Sequence, residues 1–322
     1  MRYLITGGAG FIGSHLVDAL VDQGHSVIVL DDFSTGRHDN LKRHAGSEHV
    51  EVIVGSILNE ALVDDAVRRA DVVLHLAAAV GVQLIVQRPL ESLATNIRGS
   101  ELVLEKCHKY GRKVLVTSTS EIYGKNTSDA LNEDDDRILG SPLKTRWSYS
   151  EAKAIEEVLA HAYWRDKGLP TIIVRLFNTV GPRQVGHYGM VVPRLVEQAL
   201  RGLPLTVYGT GEQTRCFGHV FDIVDALIAL VQDERAVGQV FNVGSSAEVS
   251  INDLASTIIE QLHSNSAISH VPYEEAYEAG FEDMERRVPD TSRLRSLLGW
   301  EPKRDLVTII EDVSADVRLR TP

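Results

Sequence analysis

Short apolar runs alternate with helical patterns through the first half of the sequence. Runs such as YLIT (3–6), SVIVL (26–30) and KVLVTST (113–119) are apolar over most of their length rather than at every second residue. Strands of this kind are buried on both faces, which is typical of a parallel sheet with helices on each side. After Asn178 the pattern changes to glycine-rich loops, short helices and further strand-like runs. We therefore predict an α/β fold, with a doubly wound parallel sheet and a smaller, mixed α/β C-terminal domain.

The turn TGGAGFIG lies between the first strand and the first helix and carries Gly7, Gly10 and Gly13. Glycines at such positions permit a tight turn and let backbone N–H groups approach a pyrophosphate at a helix N-terminus. The second strand ends in Asp31 and Asp32. A carboxylate there can accept both ribose hydroxyls of NAD and would repel the 2′-phosphate of NADP. The sequence predicts a Rossmann-type domain that binds NAD.

The change of pattern after Asn178 also suggests where two domains divide. We predict that residues 1–176, together with about 215–245, form the NAD-binding Rossmann domain. Residues from about 177–214, together with 246–322, would then form a substrate domain. The run QVFNVG (239–244) is the strand that we expect the later chain to contribute to the first domain.

Two groups of polar residues follow apolar segments and could carry chemistry. Thr119, Ser120 and Glu121 come directly after the strand KVLV, where a polar turn without function is the simpler explanation of an isolated segment. Tyr149 and Lys153 form YxxxK at the start of a helix, one turn apart and on the same face. An ammonium near a phenol favours the phenolate and lowers its pKa. A phenolate can remove the proton of a sugar hydroxyl while hydride leaves the carbon.

Several motifs occur together in one order: TGGAGFIGSH, HLAA, STSEIYG, YSEAK, RLFNTVGPR, RCF and VPD. In this combination the chain resembles the extended short-chain dehydrogenase/reductase family, which includes nucleotide-sugar epimerases, dehydratases and decarboxylases. The resemblance covers essentially the whole sequence. It implies that Thr119 is the catalytic hydroxyl residue, that Tyr149 is the base, and that Lys153 also holds the nicotinamide ribose.

The same resemblance implies the remaining cofactor contacts. They are expected from the glycine turn, from the ends of the second and fourth strands, and from the segment after the third strand: Gly7, Gly10, Phe11, Ile12, Gly13, Asp31, Asp32, Ser56, Ile57, Leu76, Ala77 and Ala78. One departure is visible, because many members of the family have Gly-Asp after the third strand where this chain has Gly55-Ser56. Contact with adenine through that side chain is therefore in doubt, although NAD use is not.

The pair Ser120-Glu121 resembles two branches of the family, the UDP-glucuronate decarboxylases and the GDP-mannose 4,6-dehydratases. The stretch RRVPD near the C-terminus resembles the decarboxylases and places their catalytic arginine at Arg287. The resemblance implies oxidation of sugar C4 followed by decarboxylation of UDP-glucuronate, giving UDP-xylose or a UDP-4-keto-pentose. The alternatives are a UDP-sugar 4-epimerase, which would act on UDP-glucose or UDP-glucuronate, and an NDP-hexose 4,6-dehydratase. A protein that binds the cofactor without catalysis is a further class, against which the intact Thr119, Tyr149 and Lys153 argue.

Contacts with the nucleotide-sugar substrate are also expected by resemblance. Asn178 would lie near the sugar phosphate, Arg215 on the diphosphate, and Arg287 near C5, with Arg183 and Arg194 as weaker candidates. For Arg287 the competing explanations are a diphosphate contact or a surface salt bridge. For Arg215 the competing explanation is a purely structural role.

Composition limits the remaining classes of function. A net charge of −12 argues against nonspecific nucleic-acid binding. No apolar run approaches the roughly 20 residues of a membrane span, and a strand begins almost at the N-terminus, which leaves no room for a signal peptide. Cys107 and Cys216 form no framework of pairs, and the twelve histidines lack ligand spacing, so we expect no metal. We predict a cytoplasmic protein.

Oligomeric state is suggested by the family alone. Its members commonly dimerise through two helices from each subunit, and the segments near 96–110 and 150–166 would supply them here. The simpler explanation of these helices is that they pack on their own sheet. We expect a homodimer.

Overall fold

A central parallel sheet organises the structure, a computed structural model that describes residues 1–79, 88–186, 190–272 and 286–320. The strands of the described residues, in chain order, are β1 (Arg2–Thr6), β2 (Ser26–Asp31), β3 (Val50–Val54), β4 (Val72–His75), β5 (Lys113–Thr119), β6 (Thr171–Leu176), β7 (Thr179–Val180), β8 (Leu205–Tyr208), β9 (Thr214–Cys216), β10 (Gly218–His219), β11 (Val240–Val243), β12 (Glu248–Ser250) and β13 (Ile268–Val271). Seven of them form one sheet in the order β11-β6-β5-β4-β1-β2-β3. All neighbours in it are parallel, which confirms the predicted Rossmann-type sheet.

Helices cover both faces of this sheet and build the smaller unit. They are α1 (Phe11–Asp22), α2 (Glu60–Arg69), α3 (Pro89–Leu93), α4 (Gly99–Tyr110), α5 (Ser148–Lys167), α6 (Val191–Leu200), α7 (Val220–Gln232), α8 (Ile251–Gln261), α9 (Ser292–Leu298) and α10 (Leu306–Arg320). Helices α4 and α5 end at Gly111 and Gly168, whose φ values of 63° and 69° are left-handed. Glycine adopts this conformation without a steric cost, so it stops each helix at a defined residue.

The helical segment between β4 and β5 is irregular. It begins at Pro89, which suits a first helical turn because proline has no N–H to leave unpaired. Helices α3 and α4 are joined by a π-helical turn, Ala94–Arg98. There the Asn96 side chain accepts a hydrogen bond from the backbone N–H of Ala79 and donates one to its carbonyl. The irregular turn therefore fixes the chain that leaves β4.

Two apolar clusters lie on opposite faces of the sheet. One contains Leu16 and Leu20 of α1 with Leu227 of α7, and the other contains Val67 of α2 and Val103 of α4. This double covering explains why the strands are apolar without alternation.

A third cluster is separate and holds the smaller unit together. It is built from α6, α8 and α10, with members such as Leu195, Leu254 and Ile310. Around it lie the antiparallel pair β9–β12 and the parallel pair β8–β13. Leu294 of α9, however, packs in the first cluster on the sheet. The two-domain boundaries stay a prediction, and the separate third cluster is the packing that supports them.

The order of strands places a crevice at the carboxyl ends of the central strands. From β1 the chain moves outward to β2 and β3, and then returns to the other side of β1 as β4. The loops after β1 and β4 therefore leave the sheet in opposite directions. In open α/β sheets, ligands bind where the strand order reverses in this way.

Candidate active site

A cavity of about 660 Å3 opens at the carboxyl ends of the sheet strands and extends to the smaller unit. It brings together residues that lie far apart in the sequence. The predicted site residues among its lining are Gly7, Gly10, Phe11, Ile12, Gly13, Asp31, Asp32, Ile57, Leu76, Ala77, Ala78, Thr119, Ser120, Glu121, Tyr149, Lys153, Asn178, Arg194, Arg215 and Arg287. The glycine turn, the YxxxK pair and the C-terminal arginine therefore face one space.

Two predicted residues, Ser56 and Arg183, are not among the residues that line the cavity. The hydroxyl of Ser56 accepts a hydrogen bond from the backbone N–H of Leu58 at 3.2 Å, so it stabilises a local turn. The guanidinium of Arg183 donates to Asp18 on α1 at 2.6 Å. Arg183 thus joins the smaller unit to α1, and the structure gives it no contact with the cavity.

The glycine turn is too tightly packed for other side chains. Gly7 has a φ of +73°, and a Cβ placed on it would lie 2.9 Å from the backbone nitrogen of Ala77. A Cβ on Gly13 would lie 2.2 Å from the carbonyl oxygen of Gly7. Each contact is shorter than real Cβ atoms make, so glycine is required for the turn to close against β4 and α1. The turn leaves the N-terminus of α1 open to the cavity, as a pyrophosphate site needs.

Asp31 holds the loop that follows β2 against the glycine turn. Its carboxylate accepts hydrogen bonds from the backbone N–H groups of Ala9 and Phe33, both at 2.8 Å. Burial raises the pKa of Asp31, and these two backbone N–H groups partly offset that effect. Asp31 and Asp32 both line the cavity at the end of β2. The glycine turn and these carboxylates together fit the pyrophosphate and ribose of NAD.

The hydroxyl strand ends in a short 3-10 turn at Ser120–Tyr123. Thr119 Oγ1 accepts the backbone N–H of Glu121 at 3.2 Å, so it caps that turn. The hydroxyl of Ser150 donates to the carbonyl oxygen of Glu121 at 2.9 Å. This bond ties the first turn of α5 to the end of β5. Tyr149 and Thr119 are therefore held against the same part of the cavity.

Lys153 is buried and already has two partners. Its Nζ donates to the carbonyl of Thr117 at 3.0 Å and to the carboxylate of Glu156 at 2.9 Å. Burial raises the pKa of Tyr149, and the carboxylates of Glu156 and Glu121 raise it further. That Lys153 lowers this pKa stays a prediction, and in the structure the ammonium of Lys153 is paired with the Glu156 carboxylate. The YxxxK spacing identified Lys153 in the sequence, but it did not identify Glu156 as the carboxylate that pairs with it.

Arg287 reaches the cavity from the C-terminal part of the chain. The backbone N–H of Leu131 donates to the carbonyl of Val288, and that of Asp290 donates to the carbonyl of Leu131. These two bonds fix the chain directly after Arg287, and this residue is only 7 % exposed. Its Nη1 donates to Ser120 Oγ at 3.2 Å and lies 3.6 Å from Glu121 Oε1. The alternative of a surface salt bridge therefore does not describe Arg287.

The far end of the cavity lies in the smaller unit. Asn178 donates from Nδ2 to the carbonyl of Cys216, which fixes its amide beside the end of β6. The guanidinium of Arg194 stacks over the ring of Tyr208, with 4.1 Å between Cζ and the ring centroid. Arg215 also lines the cavity here. Two guanidinium groups and an aromatic ring are suited to a nucleotide diphosphate.

Sequence reasoning missed several lining residues as well as Glu156. Thr117 lies two residues before Thr119, on the same face of β5. Tyr208, Gln213 and Phe217 come from the smaller unit. Tyr208 ends a strand-like run in the sequence, and this position at a strand end is the feature from which it could have been predicted to line the cavity. The signal for Glu156 was its position three residues after Lys153, on the same helical face.

Comparison with known proteins places this geometry in a family. The family described as GDP-mannose 4,6 dehydratase matches residues 4–313. The chain belongs to that family. It is one of the extended short-chain dehydrogenases/reductases, as the motifs predicted, and the name of the family does not fix the reaction of each member.

Relatives within the family include named decarboxylases. The chain is 44% identical over 302 residues to the UDP-N-acetyl-alpha-D-glucosaminuronate decarboxylase of Bacillus cytotoxicus, covering 94% of this chain and 92% of the relative. It is 37% identical to UDP-glucuronic acid decarboxylase 1 of Xenopus tropicalis, and the match covers 94% of this chain and 68% of that relative. The family thus includes enzymes named for the removal of a uronate carboxyl group.

A solved member of the family has the same overall fold. The UDP-glucuronic acid 4-epimerase of Bacillus cereus, in complex with UDP-glucuronic acid and NAD, is 28% identical to this chain. The TM-score is 0.89, and the match covers 99% of this chain and 100% of the epimerase. Family members on this fold therefore differ in reaction, and the site must decide between them.

Among the described helices, none combines the length and apolar character that crossing a membrane requires. Within the same described ranges, no group of three or more His, Cys, Asp or Glu side chains is arranged to hold a metal ion.

Proposed function

We propose that this chain is an NAD-dependent decarboxylase of UDP-glucuronate that works through a 4-keto intermediate. The observation that carries the proposal is the buried guanidinium of Arg287, which lies beside Ser120 and Glu121 in the cavity that also contains Tyr149. A buried cation is costly unless an anion faces it. A sugar carboxylate at C5 would supply a second anion at the place where the reaction needs one.

The cofactor would lie across the turn after β1. Gly7, Gly10 and Gly13 would receive the pyrophosphate, and Asp31 and Asp32 would face the adenosine ribose. Lys153 would hold the nicotinamide ribose. When bound, NAD supplies a reversible acceptor for the hydride of sugar C4. NAD rather than NADP is the expected cofactor because two carboxylates lie where a 2′-phosphate would have to fit.

The side chains of the cavity divide the reaction between them. Tyr149 takes the proton of the C4 hydroxyl, and Thr119 hydrogen-bonds that hydroxyl. The resulting 4-ketone makes the substrate a β-keto acid. The bond from C5 to the carboxyl carbon then breaks, CO2 leaves, and the electron pair of that bond passes into the ketone as an enolate. Arg287 holds the carboxylate before this step, and Glu121, a like charge beside it, helps to expel it. Arg287 then orders the proton that returns to C5.

Specific observations favour three alternatives. The 44% identity to a decarboxylase named for the 2-N-acetyl substrate favours UDP-N-acetylglucosaminuronate. The fold shared with a UDP-glucuronic acid 4-epimerase favours epimerisation at C4. The family name favours a 4,6-dehydratase, in which Glu121 would remove the C5 proton. Decarboxylation is preferred over epimerisation and dehydration because it uses Ser120, Glu121 and Arg287 together, and the assay below decides between the two uronates.

One assay separates these reactions. The protein is incubated with NAD and, in turn, UDP-glucuronate, UDP-N-acetylglucosaminuronate, UDP-glucose and GDP-mannose, and the products are analysed by mass. Loss of CO2 from UDP-glucuronate supports the proposal, whereas faster loss of CO2 from UDP-N-acetylglucosaminuronate supports that alternative substrate and overturns the choice of UDP-glucuronate. Loss of water means dehydration, and an isomer of unchanged mass means epimerisation. Either result with a uronate would overturn the proposal.

Glu121→Gln is expected to separate oxidation from decarboxylation. The amide keeps the shape of the side chain but loses the charge that pairs with Arg287. We expect the 4-keto uronate, two hydrogens lighter than the substrate, to form at a similar rate, while release of CO2 falls about 10²-fold. Mass analysis over time measures both steps. The matched control is Glu151→Gln, on the exposed side of α5, and equal effects of the two changes would contradict the role of Glu121.

We also propose that a second copy of the chain covers one side of α5. Ile155 and Val158 lie three residues apart on this helix and are 42% and 67% exposed. Both fall within the helix that the family uses for dimers. A charge at the centre of an apolar interface is strongly unfavourable.

Val158→Glu is therefore expected to convert a dimer into a monomer. Leu203→Glu, at an exposed leucine in the smaller unit, serves as the control and should leave the mass unchanged. Light scattering after size exclusion measures the mass of each protein. A wild-type monomer at micromolar concentration would refute the dimer.

A cytoplasmic location is the last part of the proposal. Cys107 and Cys216 are both buried and free. Free thiols are usual in a reducing compartment.

A further inference from the structure

Glu156 is a buried carboxylate that no step above uses. It lies on α5 one turn beyond Lys153, and its side chain has no exposed surface. Its Oε2 accepts the Lys153 ammonium at 2.9 Å. Its Oε1 is buried and has no hydrogen bond of good geometry among the residues that the structure describes, although the Ser100 hydroxyl lies near enough to lower the pKa of this carboxylate. A carboxylate in this state is expensive to bury, so its presence beside a catalytic lysine requires an explanation.

We propose that Glu156 is a positioning residue whose carboxylate holds the Lys153 ammonium against the Thr117 carbonyl and offsets its charge beside the Tyr149 phenol. The inference rests on the proposed function, in which Tyr149 is the base. Lys153 has three N–H donors, and Thr117 and Glu156 use two of them. The ammonium is thereby fixed in direction, and its field at Tyr149 is that of an ion pair rather than of a lone cation.

The electrostatics of Tyr149 agree with this arrangement. After burial, the carboxylate of Glu156 is the largest cause that raises the pKa of the phenol, ahead of Glu121. Burial raises the pKa of Glu156 itself, while the Lys153 ammonium lowers it. Glu156 therefore links the set of Glu121, Tyr149, Lys153 and Glu156, because it is paired with Lys153 and, like Glu121, raises the pKa of Tyr149.

Other charged groups face this set from the surrounding elements. Glu157, next on α5, forms an ion pair with Arg175 of β6 at 2.8 Å. Arg287 lies beside Glu121. His75 of β4 is buried, and burial together with the charge of Lys153 lowers its pKa to about 3. His75 is therefore neutral above that pH and does not contribute to a titration near neutrality.

The sign of the effect follows from the charge that is removed. Glu156→Gln keeps an oxygen for Lys153 but removes a negative charge near the phenol. Phenolate formation then becomes easier, so the pKa of Tyr149 falls. Because the proposed base works as phenolate, activity rises as pH rises through this pKa. The rising limb of the profile of kcat against pH should move to lower pH by about one unit.

The experiment measures the phenol both with and without turnover. Tyrosine labelled at the ζ carbon is followed by NMR against pH in the NAD-loaded, substrate-free protein, with Tyr149→Phe identifying the resonance. In Glu156→Gln this resonance should begin to titrate at lower pH than in the wild type. The kcat profile on the uronate substrate should move in the same direction. Glu151→Gln, on the exposed side of the same helix, should leave both measurements unchanged.

Glu156→Asp tests charge rather than shape. It restores a carboxylate at the same position, so both measurements should return toward the wild-type pH. If Glu156→Asp shifts them as far as Glu156→Gln does, the charge is not the cause and the inference is overturned. Glu156→Ala can replace the glutamine variant if that protein does not fold, since it removes the same charge.

The two measurements also separate the inference from the proposed function. An unchanged Tyr149 resonance in Glu156→Gln overturns the inference, whatever the activity. A shifted resonance with an unchanged kcat profile supports the role of Glu156 and shows instead that Tyr149 is not the base. A shift of both the Tyr149 resonance and the kcat profile supports the role of Glu156 and the role of Tyr149 as the base.

Discussion

Tyr149→Phe is expected to lower kcat about 10³-fold. The change removes one oxygen from the first turn of α5, at the place where the C4 hydroxyl of the sugar must lose its proton. Thr119 Oγ1 is not expected to take over this step, because it is held as the cap of the following turn and an aliphatic hydroxyl does not ionise near neutral pH. Mass analysis of the products, with the 4-keto sugar as the first species, measures the loss.

The control is Tyr163→Phe, which removes a hydroxyl from the same helix outside the cavity lining. It should retain wild-type turnover. NAD affinity, measured by calorimetry, should change little in either variant, because Lys153 and the glycine turn are unaltered. Wild-type turnover of Tyr149→Phe would remove the chemical basis of the whole proposal.

Arg287→Gln is expected to lower kcat/KM for UDP-glucuronate about 10²-fold. The loss includes the ion pair with the substrate carboxylate and leaves Glu121 beside that carboxylate without its cation. UDP-glucose carries no carboxylate, so its affinity should fall much less. The ratio of the two affinities therefore measures the interaction that the proposal assigns to Arg287.

Arg286→Gln is the matched control for this change. Arg286 is the preceding residue, but its side chain is 44% exposed and pairs with Glu248 at the surface. We expect near-normal kinetics, because exposed ion pairs contribute little. If both arginine variants lose activity equally, or if Arg287→Gln weakens UDP-glucose just as much, the carboxylate role is wrong.

The sequence was informative wherever function depends on local geometry. The continuous apolar runs predicted a parallel sheet, because such strands must be buried on both faces. The glycine spacing predicted a tight turn, and the structure gives the reason in the short distances from Gly7 and Gly13 to neighbouring backbone atoms. Tyr149 and Lys153 were predicted to share a helical face because their spacing is one turn.

The sequence was less informative wherever a property depends on tertiary contacts. The pKa of Tyr149 is set by burial and by Glu156 and Glu121, and a spacing of four residues cannot show that a lysine has been neutralised. Arg183 was a weaker candidate for contact with the nucleotide-sugar substrate, and the fold instead brings Asp18 within 2.6 Å of it. The π-helical turn at Ala94–Arg98 depends on Asn96 binding the chain at Ala79, which no local pattern reveals.

The position of β11 at the edge of the sheet has a consequence for synthesis of the protein. This strand pairs with β6 through residues 240–243. All residues between β6 and β11 must therefore leave the ribosome before β11 can cover the edge of β6. Until then the nascent chain displays the bare backbone of β6, a template on which another unfinished copy could assemble. Truncated or stalled products are thus expected to aggregate sooner than the full-length polypeptide.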